Sequence, residues 1–220
     1  QPRLSPDGKK IAFLFPHEKR MALGFFDRTT NESRMIVRGE DESIFSFFWK
    51  GNDRLVLAAD VSGNESFFIG STDLTGRKVL RLAESQRIED SLTGTVANII
   101  DEVHADPTRI VVSAFFADKV DTTVILGRNA VVAKLNVQNG ARSPIYEFKE
   151  SDRNVRLIAD NTGTLRVRGR LVQKEVIWEH RAADGSTFRE IARHPFHGYQ
   201  ETWHPIAFAA DNVTLWLISR

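Results

Sequence analysis

A turn signal that runs straight into an apolar, β-type stretch recurs five times along this chain. No other feature constrains the fold as much. The sharpest copy is Leu4-Ser5-Pro6-Asp7-Gly8-Lys9-Lys10-Ile11-Ala12-Phe13-Leu14. Proline presets φ at one turn position and glycine tolerates positive φ at another, so Pro-Asp-Gly delivers the backbone directly into a strand. Weaker copies are Phe47-Phe48-Trp49-Lys50-Gly51-Asn52-Asp53-Arg54 before Leu55, and Asp106-Pro107-Thr108-Arg109 before Ile110. Two more are Asp160-Asn161-Thr162-Gly163 before Leu165, and Ala210-Asp211-Asn212 before Leu215. Aligned on Ile11, Leu55, Ile110, Leu165 and Leu215, the copies are spaced by 44, 55, 55 and 50 residues. Propeller blades, each of four antiparallel strands, take about 40–50 residues and lengthen with inserted loops.

Within the intervals the four-strand pattern continues. The second unit offers strands at 44–48, 54–59, 66–71 and 78–82, with turns at Asn52-Asp53, Ser62-Gly63-Asn64 and Thr75-Gly76. The third offers 97–103, 109–115, 130–135 and 144–148, with Asn139-Gly140 as a hairpin turn. The fourth offers 155–159, 164–169, 175–180 and 187–192, with Asp184-Gly185 as its turn. The first unit lacks an innermost strand unless Arg3-Leu4 is its remnant, and the fifth stops after its second strand. No segment sustains an apolar stripe at helical spacing, and only the polar stretch 85–90 suits a turn of helix. The expectation is therefore an all-β chain, an incomplete β-propeller of about four to five blades, each a four-stranded antiparallel sheet. The blade units fall at 1–40, 41–84, 95–150, 151–195 and, incomplete, 203–220. A β-sandwich with irregular loops is the competing architecture; the repeated turn at near-blade spacing speaks against it.

Composition excludes some functions. Thirty Lys and Arg against twenty-nine Asp and Glu give a net charge of +1, so no chain-wide field favours nucleic acid or an anionic membrane surface. With no cysteine, disulfides, thiolate metal sites and a cysteine nucleophile drop out. No apolar run reaches the roughly 18 residues of a membrane helix. Gln1 stands where an initiator Met would be, which is what a removed export signal leaves; that fits a periplasmic protein, with the cytoplasm as the alternative.

The stretch Ser5-Pro6-Asp7-Gly8-Lys9-Lys10-Ile11-Ala12-Phe13 resembles a blade signature shared by TolB-type propellers and the N-terminal propellers of prolyl-oligopeptidase-family (S9) serine peptidases. In TolB-type blades the signature repeats almost verbatim, whereas here it is sharp once and then decays. Asn154-Val155-Arg156-Leu157-Ile158-Ala159-Asp160, Val176-Ile177-Trp178-Glu179-His180-Arg181 and Pro205-Ile206-Ala207-Phe208-Ala209-Ala210-Asp211 resemble later blades of bacterial members of the peptidase family. That resemblance implies a propeller that gates peptide substrates, partnered by a C-terminal α/β-hydrolase domain carrying a Ser, Asp and His triad. The serine of such a domain sits in a Gly-x-Ser-x-Gly elbow, and none occurs in these 220 residues. No catalytic residue is therefore expected here, and no cofactor or metal. A stand-alone TolB- or WD40-like propeller that binds a protein partner is the other reading.

Candidate site residues are sparse. Arg166, Arg168 and Arg170 alternate with Leu165, Val167 and Gly169, so period-two geometry puts three guanidiniums on one strand face. Either Glu175 and Glu179 on the next strand neutralise them, or the face attracts a peptide carboxylate bidentately. His194, His197 and His204 lie within eleven residues, but Pro195 and Gly198 make the stretch a loop, a poor scaffold for zinc. The acidic pairs Asp41-Glu42 and Asp101-Glu102 read as loop charge. Trp49, Trp178, Trp203 and Trp216 read as rings packed between adjacent blades. An incomplete propeller leaves sheet flanks open, which predicts self-association through them or marginal solubility.

Overall fold

The computed structural model describes residues 2–39, 41–61, 67–84, 97–114, 117–120, 123–126, 131–148, 154–196 and 203–219. Twenty strands are assigned among them, and no helix. Four four-stranded antiparallel sheets follow one another along the chain. The first is β1 (Arg3–Leu4), β2 (Lys10–His17), β3 (Arg20–Asp27) and β4 (Glu32–Val37). The second is β5 (Glu42–Lys50), β6 (Arg54–Val61), β7 (Phe67–Asp73) and β8 (Leu80–Glu84). In the third, β9 (Asn98–Asp101) is followed by β10 (Arg109–Ala114), β13 (Val131–Asn136) and β14 (Arg142–Glu147). A small hairpin, β11 (Ala117–Val120) with β12 (Thr123–Leu126), interrupts that third sheet in sequence. The fourth is β15 (Asn154–Ala159), β16 (Leu165–Val172), β17 (Glu175–His180) and β18 (Arg189–Pro195). β19 (Trp203–Phe208) and β20 (Leu215–Ser219) form a final two-stranded sheet. The order is that of successive blades, each sheet a meander, with consecutive strands in all but the third of the four-stranded sheets. Arg3-Leu4 does pair with β2, as Arg3 opposite Ala12 and Leu4 opposite Ile11.

The chain falls into two compact units: residues 1–97, 114–126 and 135–142 in the first, and 98–113, 127–134 and 143–220 in the second. In the first, Leu23 and Phe25 of one sheet pack on Phe47, Trp49, Leu55 and Leu57 of the next. Trp49 also donates its indole N–H to the Arg3 carbonyl at 2.9 Å, so the ring is buried without an orphaned donor. In the second, Val111 and Val132 meet Leu165, while Val167, Val176 and Trp178 meet Phe208 with Trp203 and Leu215 alongside. Middle strands are covered on both faces, and their sequences read as unbroken apolar runs; Leu55-Val56-Leu57 and Ile110-Val111-Val112 are each at most 1% exposed. The last strands, β4, β14 and β18, face water along most of their length.

The recurring turn has a physical basis. Ser5 donates its hydroxyl to Asp7 at 2.6 Å and accepts the Lys10 N–H at 2.9 Å, while Gly8 turns the backbone at φ 71°. The Asp7 N–H then donates to the Asn52 side chain, in the corresponding turn of the next sheet, at 2.9 Å. The second unit repeats the device: Asp160 accepts from Thr162 and Thr164, and the Asn161 N–H donates to Asn212 of the following turn at 2.8 Å. Gly163 is obligatory there, since its φ is +74° and an added Cβ would lie 2.9 Å from Val103.

Two expectations need adjustment, and three fall on residues that the structure does not describe. The β11–β12 hairpin falls where no strand was expected, and it accounts for part of the 55-residue third interval. Trp216 is 57% exposed, unlike the buried Trp49 and Trp178, because β20 pairs with β19 alone among the described residues. The turn at 62–64, the stretch 85–90 and His197 lie outside the described residues.

Candidate functional site

The arginine row of β16 is largely spent on internal partners. Arg168 lies directly across from Glu179 of β17 and donates Nε to its Oε2 at 2.6 Å. Arg170 binds the same carboxylate twice, through Nε at 2.8 Å and a terminal nitrogen at 3.1 Å. Arg168 also donates to the Tyr146 hydroxyl, and its guanidinium sits 4.3 Å from the Phe188 ring centre. Arg181 covers that ring too, at 4.8 Å, while its Nε donates to the Leu165 carbonyl. Burial alone would raise the Glu179 carboxyl, but the hydrogen bonds from Arg170 and Arg168 outweigh it and hold it below its ordinary value. Glu175, the other expected partner, instead accepts from Arg193 of β18 at 2.7 Å.

Arg166 is set apart from its two neighbours. It donates to Asp160 at 3.1 Å, to the Arg181 carbonyl at 2.8 Å and to His180 Nε2 at 3.1 Å. A guanidinium can only donate, so His180 accepts and is neutral at that nitrogen. Burial, and then the Arg166 charge, lowers the His180 pKa from its ordinary 6.5. For Asp160, burial again works to raise the pKa, and bonds from Thr162, Thr164 and Arg166 overcome it. The row is therefore a nearly dry ion network built into one sheet.

His194 is also engaged. Its Nδ1 faces the Pro195 carbonyl at 3.0 Å and must carry the proton, which leaves Nε2 to accept the Trp178 indole N–H at 3.1 Å. The described residues contain no group of three His, Asp or Glu side chains placed to hold a metal. Glu42 accepts from Arg81 at 2.9 Å, and Asp101 accepts the Val103 N–H at 2.5 Å.

A different site emerges in the second unit where first strands meet: β15 lies against β9 on one side and β19 on the other. They border an open-sided cavity of about 400 Å³, within the roughly 300–1,000 Å³ usual for ligand pockets. Its polar lining comes from Asn98, Asp101, Ser113, Arg156 and Asn161. Leu157, Phe148 and Phe208 supply apolar walls. Arg156 is exposed, and no described group bonds its guanidinium. Sequence reasoning passed over it, although it is the single charge in the run Asn154–Ala159, a signal open to reading.

No family model matches the chain, and no curated protein does. Solved structures do. Prolyl oligopeptidase B from Galerina marginata aligns over 99% of this chain and 33% of its own, at 10% identity and TM-score 0.58. A prolyl endopeptidase, one of two analysed for the role of inter-domain dynamics in catalysis and specificity, aligns over 99% and 31%, at 11% identity and TM-score 0.54. TolB from Acinetobacter baumannii aligns over 89% and 54%, at 18% identity and TM-score 0.35. The chain thus spans about a third of the two peptidases and about half of TolB. Sheet order and the alignments to the two peptidases together make the chain a β-propeller module whose structural neighbours include the propellers of prolyl oligopeptidases.

Proposed function

We propose that this chain is the substrate-gating propeller domain of a prolyl-oligopeptidase-like serine peptidase. The reading is carried by the alignment of two such peptidases over 99% of the chain, and the Ser5–Phe13 signature adds to it. In this reading the hydrolase domain of the parent protein supplies the serine, aspartate and histidine. The serine attacks the peptide carbonyl, the histidine takes its proton and returns it to the leaving amine, and water releases the acyl-enzyme. The propeller contributes none of those groups; it decides which peptides arrive. First strands of propeller blades border the central channel, so the cavity on β9, β15 and β19 belongs to the wall along which a peptide passes.

The test compares this chain with the full-length gene product on a fluorogenic peptide library. An active parent and a silent chain support the reading. A silent parent whose gene lacks a Gly-x-Ser-x-Gly elbow overturns it in favour of a stand-alone binding propeller.

A further inference from the structure

We infer that the cavity on β9, β15 and β19 is a binding site for the free C-terminal carboxylate of an extended peptide, with Arg156 as its anchor. The inference rests on the reading of the chain as the peptide-admitting domain of a peptidase, and it names the peptide feature that is recognised.

Arg156 differs from most arginines of its sheet. Arg166, Arg168, Arg170 and Arg193 donate to carboxylates and Arg181 to a carbonyl, whereas Arg156 and Arg189 of β18 have no such partner among the described residues, and of these two only Arg156 lines the cavity. It stands on β15 opposite Gly169 and opens into the cavity. The carboxylate in the same lining, Asp101, accepts the Val103 N–H, so the cavity carries one group of each sign. The group in it suited to a carboxylate is Arg156, a planar fork of donors. Asn98 adds an amide that can donate alongside it.

The strand geometry supplies the rest of the recognition. β15 is the edge strand of its sheet, and no backbone hydrogen bond beyond the β15–β16 ladder reaches residues 154–159 from the described residues. Alternate N–H and C=O groups along that edge point away from β16, which is what an extended peptide needs to add as a further strand. Leu157 and Phe208 line the space where the last side chain of such a peptide would rest. An internal acidic residue would offer Arg156 the same chemistry, and the amide with internal Glu separates it from the chain end in the test below.

The test uses apolar pentapeptides labelled at the N-terminus and read by fluorescence anisotropy against this chain. Three forms are compared: free C-terminal acid, C-terminal amide, and amide with one internal Glu. The acid form is expected to bind about 10- to 100-fold more tightly than the amide, the worth of one charge-assisted contact. Arg156→Gln removes that preference and Arg156→Lys restores part of it. Circular dichroism melts of both variants match the parent, because Arg156 is exposed. Equal binding of acid and amide, or a preference unchanged in Arg156→Gln, overturns the inference, as does an amide with internal Glu that matches the acid. Failure of the peptidase reading shows up separately, as a silent full-length protein in the fluorogenic assay.

Discussion

Replacing Glu179 by Gln tests whether the arginine row is a structural network. The side chain is 10% exposed and its two oxygens accept three hydrogen bonds, at 2.6, 2.8 and 3.1 Å. Glutamine keeps the shape and one acceptor oxygen but removes the charge. Arg168 and Arg170, 15% and 25% exposed, then stand as two half-buried cations 11 and 9 positions from their lost partner in sequence and beside each other in space. Each bond to a charged group is worth about 1.5–3 kcal/mol, and removing one partner of a buried pair costs about 3–5 kcal/mol. Arg170 recovers some hydration and Arg168 keeps Tyr146, so the net loss should be about 2–4 kcal/mol. For a chain of this size each kcal/mol moves Tm by about 2–4 °C, giving a fall of roughly 5–15 °C. Thermal melts and hydrogen exchange of the β16 and β17 amides read it out. The triple variant Glu179→Leu, Arg168→Met, Arg170→Met should recover most of the loss, since it removes the charges together. A Tm within about 2 °C of the parent for Glu179→Gln, or a triple variant no better than the single one, refutes the reasoning.

Other consequences are as direct. Ser5→Ala leaves the Lys10 N–H without its side-chain acceptor and should cost about 1–3 kcal/mol, measured as a lower urea midpoint with unchanged slope. Acidification should weaken the fourth sheet in two steps. The folded pKa of His180 lies below its unfolded 6.5, so stability is complete above that value and declines as pH falls toward the folded pKa. Asp160 and Glu179 are also depressed, so their contribution persists above about pH 4 and is lost as pH falls through their folded values. His180→Asn should abolish the first step in urea midpoints measured against pH and keep the second. Finally, Trp216, Leu217 and Ile218 are 57%, 53% and 44% exposed on β20, and light scattering at high concentration should show self-association that Trp216→Ser with Leu217→Lys reduces. A monomeric profile for the unmodified chain would remove that expectation.

What the sequence discloses depends on how many neighbours a strand has. Middle strands such as β6 and β10 are covered on both faces, so their apolar runs announce them. Last strands such as β14 and β18 carry mixed patterns because most of their side chains meet water, and their boundaries shift from the expected 144–148 and 187–192 to Arg142–Glu147 and Arg189–Pro195. The β11–β12 hairpin escapes a reading of the sequence because Asp118 and Lys119 break the apolar pattern of its first strand. The pairing of Arg168 and Arg170 with Glu179 follows from strand alternation alone, but the loss of Glu175 to Arg193 does not. It depends on β18 folding back against β17, a third strand that pairwise reasoning leaves out.

The same logic separates the two kinds of arginine in this chain. A cluster of three guanidiniums on one face is conspicuous in sequence, yet like charges at that spacing can be buried only with carboxylates beside them, as Glu179 and Asp160 are here. Two carboxylates offset two of the three charges, and all three guanidiniums already donate within the chain, so few of their donors are left for a ligand. A lone arginine on a first strand faces no such requirement, because its side chain projects into a solvent-filled space where hydration suffices. Arg156 is inconspicuous in sequence because it is the single charge of its strand, and it is available in the fold because no described group bonds its guanidinium. In a propeller, guanidiniums on second and third strands are thus expected to hold blades together, and those on first strands to meet whatever enters the channel.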